Sequence, residues 1–164
     1  MTQPADFQSA DFMPSDLRDL RYVQHFCVFA LRASVSCSPK CRILLREFDR
    51  AFGGDVGDGF SAYLDLVQSL GKGRRKVAVG RPGHVELTHD ERTLLALLAA
   101  AQDQDRALFA AHACFFMGHN RLDRLYDDAR AFTGLLRNHG HFFARPRIEA
   151  LQEAAFQASL SAVS

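Results

Sequence analysis

The densest charge in the sequence lies at Lys72, Arg74, Arg75 and Lys76, followed across a short gap by Arg81. Such a run can grip phosphates, each arginine through two parallel hydrogen bonds. It can also be a solvated turn after a helix, where cations oppose the negative end of the helix dipole. The solvated turn is the expectation. Cys37 and Cys41 stand at C-x3-C spacing. Structural zinc sites more often use C-x2-C or C-x4-C, and they need a second pair of ligands. His84, His89, His112 and His119 offer no standard pairing. His112 and Cys114, two apart on a helix, point to different faces. No metal is expected, and the two cysteines read as reduced thiols. Cys27 and Cys114 lie in apolar runs, where a free cysteine behaves as a small hydrophobe.

The remaining histidines lead to no catalytic centre. His25 sits in a polar gap of the first helix and His112 on an apolar stripe. His139-Gly140-His141 forms a helix end, where imidazolium suits the dipole. No Ser or Cys occupies a nucleophile elbow, and no histidine has an orienting acid evident in sequence. His112 reads as a satisfied core histidine in preference to a haem ligand, and no cofactor is expected. The stretch 53–59 (Gly-Gly-Asp-Val-Gly-Asp-Gly) lacks the Gly-Lys-Ser/Thr ending of a phosphate loop and the terminal glutamate of a calcium loop, so it reads as a linker. Phe142-Phe143 is different. Two adjacent aromatics in a short connector do not easily face one core, which points to an interface.

Composition sets the frame for these groups. The chain has 164 residues, 48% apolar and 24% charged, with a formal net charge of +1. That describes a globular chain of one domain with no overall field for nucleic acid or membranes. The first residues lack the basic and apolar regions of a signal peptide. The longest apolar run, Leu94 to Ala101, is far shorter than the ~20 residues of a membrane span. A soluble, cytoplasmic protein with no membrane contact is expected.

The elements follow from periodicity. Residues 1–14 read as a flexible arm and 15–164 as a single helical domain. Ser15 is the expected cap of a first helix through Leu17, Leu20, Val23, Cys27, Ala30 and Leu31. Ser38-Pro39 opens a second helix that Gly53-Gly54 ends. Asp58 opens a third through Phe60, Tyr63, Leu64, Val67 and Leu70. Alternation at Val77/Val79 and Val85/Leu87 around Gly80-Arg81-Pro82-Gly83 predicts a small β-hairpin over about 76–87. Thr88-His89-Asp90-Glu91 is a capping box opening the fourth helix. A fifth helix ends by Gly118, a sixth runs from Leu122 to Leu136, and a last helix from Pro146 carries Ile148, Leu151, Phe156 and Leu160. The expected fold is mainly α: a bundle of six to seven helices with the hairpin between the third and fourth. The phenylalanines Phe26, Phe29, Phe48, Phe52, Phe60, Phe115, Phe116 and Phe132 are assigned to its core.

The stretch Arg75-Lys76-Val77-Ala78-Val79 with His84-Val85-Glu86-Leu87-Thr88 resembles the wing of MarR-like winged helix regulators, over residues 70–100. The resemblance implies DNA binding through residues 58–70, with Arg81 at the wing tip. The corresponding reading face is Ser61, Ala62, Asp65, Gln68 and Ser69, which contains no lysine or arginine. The rest of the chain resembles small helical proteins of bacteria. The leading functional expectation is a non-enzymatic protein acting through protein–protein contacts. A homodimer would form through Phe142, Phe143, Ile148, Leu151 and Phe156. DNA-binding regulation is the alternative, with Lys72, Arg74, Arg75, Lys76 and Arg81 as phosphate contacts.

Overall fold

The computed structural model describes residues 13–38, 41–119 and 121–143. They form a mainly helical structure: α1 (Tyr22–Ser36), α2 (Arg42–Phe52), α3 (Val56–Gly71), α4 (His89–Gln102), α5 (Arg106–Met117) and α6 (Asp123–Asn138). The predicted last helix, with Ile148, Leu151 and Phe156, lies outside the described residues, as do residues 1–12 of the predicted arm. Met13, at the end of that arm, is buried, and its carbonyl accepts a hydrogen bond from Arg92.

The core is aromatic. The Phe48 ring lies 5.0 Å from Phe26, 5.1 Å from Phe60 and 5.1 Å from Tyr63 between ring centroids. Phe52 continues the stack to Phe132 of α6. Each large side chain fully withdrawn from water contributes roughly 1.5–3 kcal/mol. α4 is buried on almost every side, packing on both α5 and α6. α3 packs on α6 and α2, and its Ser69 hydroxyl donates to Asp128 of α6.

Helix ends follow local chemistry. Thr88 and Glu91 form the predicted capping box. Gly118 takes a left-handed conformation at φ 67° and ends α5. The first helix, by contrast, begins later than its sequence suggests. Asp16 caps only a single 3-10 turn, Leu17–Asp19, and α1 starts at Tyr22. Residues 15–17 are held elsewhere: Leu17 N–H donates to Val85 O and Leu87 N–H to Ser15 O, both at 2.8 Å.

That pairing also corrects the predicted hairpin. Among the described residues 76–87 there is no two-stranded ladder. The 85–87 arm makes an isolated antiparallel bridge with Asp16 instead. The 78–80 arm gives its amides to side chains of α4. Ala78 N–H donates to Asp90 Oδ2 at 2.6 Å, and Gly80 N–H to Glu91 Oε1 at 2.9 Å. The two arms cannot close because the Arg32 guanidinium stands between them. Alternating spacing alone thus did not fix a strand pair here.

Two core assignments are also corrected. Phe115 is 47% exposed, and Cys114 is exposed. The buried stripe of α5 is Phe109, His112, Ala113, Phe116 and Met117, and both residues fall off it. Cys27 is buried as expected, and its burial pushes the thiol pKa up.

Candidate functional site

A cleft of about 550 Å³ opens between the outer side of α1, the 3-10 turn and the 82–85 turn. Tyr22, His25, Phe29 and Ala33 line one wall. They recur at three and four residues, so they share a helix face. Leu17 and Leu20 close one side, and Pro82, Gly83, His84 and Val85 form the other. Tyr22 and Val85 are 44% and 47% exposed, large apolar surface left open to solvent. The polar gap at His25 is thus the lip of a concave surface.

Arg32 forms the floor, and all five of its guanidinium donors are engaged. Its Nε donates to Glu91 Oε1 at 2.7 Å, and Nη2 donates to Glu91 Oε2 at 2.8 Å. Its remaining donors reach the carbonyls of His84 at 2.6 Å, Glu86 at 2.8 Å and Arg81 at 3.3 Å. Glu91 also accepts from the amides of Thr88 and Gly80. Both side chains are almost completely buried. Burial by itself would raise the Glu91 carboxyl pKa, but Arg32 and the two amides outweigh it and bring it below the ordinary carboxylate range. A planar guanidinium can serve two carboxylate oxygens and three carbonyls at once, which a lysine ammonium cannot. Arg32 therefore has no donor to offer a ligand. Its work is to hold the 81–86 turn over α1 and so keep the cleft open. Gly80 passes so close to it that an added Cβ would sit 2.5 Å from Nη2.

Asp90 makes a parallel attachment. It accepts from Arg75 Nη2 at 2.6 Å as well as from Ala78 N–H. Burial tends to raise its pKa, and these partners bring it down below the usual value. The Arg75 guanidinium lies 4.1 Å over the Phe115 ring. Arg75, expected among the phosphate contacts, is thus engaged by α4 and α5. Lys72, Arg74, Lys76 and Arg81 are exposed, with Arg74 packed over Gly118. On α3 the exposed residues include Asp58, Ser61, Leu64, Asp65 and Gln68, whereas Ala62 is half-buried and Ser69 buried.

The aromatic pair splits as adjacent side chains in an extended connector must. Phe143 is buried, with its amide on Gln102 Oε1 at 2.9 Å, while Phe142 is 54% exposed. His112 is buried and its pKa lowered by desolvation. Among the described residues no three His, Cys, Asp or Glu side chains gather as metal ligands, and no helix is long and apolar enough to cross a membrane.

No family model, curated protein or solved structure matches the chain. The site therefore rests on its own geometry. Sequence reasoning missed Arg32, although one arginine inside the apolar run from Phe26 to Ala33 was a visible sign of a buried partner. It read Glu91 only as a helix cap, which occupies part of that carboxylate. Val85 met His25 and Phe29 only through the tertiary path of the 82–85 turn.

Proposed function

We propose that the protein is a non-enzymatic helical protein acting through contacts with another protein, and that the cleft beside α1 seats an apolar segment of that partner. The observation that carries this reading is an open, mostly apolar concavity whose 82–85 wall is riveted by Arg32 and Glu91. Preformed apolar pockets with a few fixed polar groups are where binding energy is gained at least entropic cost. The lining contains Arg18, His25, Arg32 and His84 and no acidic side chain. Arg18 is paired with Asp16 and Arg32 with Glu91, leaving the two imidazoles to meet the occupant. The matching segment presents aliphatic or aromatic residues beside a carboxylate.

Selection from a random peptide library on the intact protein tests this. Enriched peptides are expected to combine apolar residues with Asp or Glu and to lose at least about tenfold in affinity on Val85→Asp, a cost of about 1.4 kcal/mol. Failure to enrich any peptide that distinguishes the native protein from folded Val85→Asp would overturn the proposal. Sedimentation at high micromolar concentration tests the homodimer. A dimer lost on Val85→Asp would make the partner a second copy using the cleft, and a strict monomer would remove self-association.

Binding of duplex DNA is the second reading, supported by the exposure of Lys72, Arg74, Lys76 and Arg81 along one segment. Anisotropy at low salt should then show binding that weakens steeply as salt rises and on neutralising Arg74 and Lys76. No binding at low salt would exclude it.

A further inference from the structure

The segment that follows α3 is laid along the carboxyl end of α5. Arg74 N–H donates to Met117 O at 3.3 Å, and Arg75 Nε donates to Phe115 O at 3.4 Å. Gly73 runs so close that an added Cβ would lie 2.7 Å from Phe116 O. Asp90 of α4 fixes the same segment, accepting from Arg75 Nη2 and from Ala78 N–H, both at 2.6 Å. This seating brings Lys72, Arg74 and Lys76, all exposed, alongside the exposed side chain of Phe115.

Phe115 is held in place as a platform. The Arg75 guanidinium lies 4.1 Å over its ring, and the rings of Phe116 and His89 meet it edge-to-face at 5.5 and 5.6 Å between centroids. Phe115 is nonetheless 47% exposed, so ring surface stays open to solvent among the cations. Residues 72–85 and 106–119 contain no Asp or Glu, and Asp90 is committed to Arg75 and the Ala78 amide. A fixed aromatic ring amid positive charge suits a ligand that brings a flat π-face and anionic groups together.

We propose that this surface binds a single-stranded nucleic acid, with an unpaired base stacked on Phe115 and the flanking phosphates held by Lys72, Arg74 and Lys76. The proposal rests on the nucleic-acid reading of the basic segment and replaces the duplex with a single strand. Bases inside a duplex are covered on both faces by their neighbours, whereas an unpaired base can turn a face to an aromatic side chain. Helix α3, which would have to enter a major groove, carries Asp58 and Asp65 and no Lys or Arg to read one. Arg75 is a positioning residue: Asp90 holds its guanidinium, and the guanidinium steadies the ring.

The test is fluorescence anisotropy of the full chain with a labelled oligothymidylate of about 20 nucleotides, longer than the ~4–16 nucleotides a single-strand site covers. At low salt the single strand is expected to bind more tightly than a duplex of the same length. Phe115→Ala should weaken it at least about fivefold, the loss of one stacked base. Phe115→Leu keeps an apolar side chain against Phe116 but offers no ring, so it should lose as much while circular dichroism shows the fold intact. Arg74→Gln/Lys76→Gln should flatten the slope of log affinity against log salt by roughly 1.4, two phosphates at about 0.7 each, whereas Phe115→Leu leaves that slope unchanged. Single-strand binding that both Phe115 variants leave unaltered would overturn the proposal. Duplex binding as tight as single-strand binding and indifferent to Phe115 would overturn it and leave the duplex reading standing. No binding of either probe at low salt would overturn both.

Discussion

Replacing Arg32 by methionine removes the cation and keeps most of the side-chain length. Glu91, fully buried, would retain only the amides of Thr88 and Gly80 as donors. The carbonyls of Arg81, His84 and Glu86 would also lose their partner, but they lie on an exposed turn and can take water. The dominant cost is therefore the uncompensated carboxylate, about 3–5 kcal/mol for a buried pair broken on one side. Against a total of about 5–15 kcal/mol, that is a large share of the stability of the fold. Urea unfolding of Arg32→Met should show this loss. The double variant Arg32→Met/Glu91→Gln should recover part of it, since glutamine removes the buried charge and keeps an acceptor oxygen for one of the two amides. Amide exchange should accelerate first at Ala78 and Gly80, the residues attached to α4. A loss below about 1 kcal/mol, or a double variant no better than the sum of the singles, would show that the pair is not coupled as described.

Acidification should act on the same rivets. Glu91 and Asp90 both have lowered pKa values in the folded chain. Their contribution is complete above the ordinary carboxylate range and is lost as pH falls through the folded values, below the reference values of 4.5 and 3.8. Urea midpoints should fall in that acidic window, less steeply in Glu91→Gln; a flat profile there would contradict the linkage. Gly80→Ala drives a methyl into the pinned Arg32 guanidinium and should cost about 1–3 kcal/mol by thermal unfolding. Arg75→Ala removes the Asp90 contact and the stacking on Phe115 and should cost about 1–2 kcal/mol. Lys76→Ala should stay within about 0.5 kcal/mol in the same assay.

Periodic apolar spacing and helix-end chemistry were enough to read most of the helical class. Thr88, Gly53, Gly118 and the capping bond of Glu91 act within a turn or two of themselves, so these roles are local and legible. The core aromatics Phe48, Phe52 and Phe132 likewise follow from a stripe on one helix face. Phe115 escaped because α5 is apolar around much of its circumference, and only its neighbours decide which side is covered. The candidate site was barely readable. Its walls come from three separated segments, and its floor depends on an arginine and a glutamate 59 residues apart.

Local spacing by itself thus determined a mainly helical chain, the Thr88 cap of α4, the glycine ends of α2 and α5 and much of its aromatic interior. Only tertiary structure decided what residues 76–87 pair with. Backbone hydrogen bonds in an extended segment are directionally open and accept any partner brought alongside. Here a buried guanidinium and the first turn of α4 arrive from distant sequence and outcompete the hairpin. The same arrangement leaves α1 with an open apolar face beside the 82–85 turn.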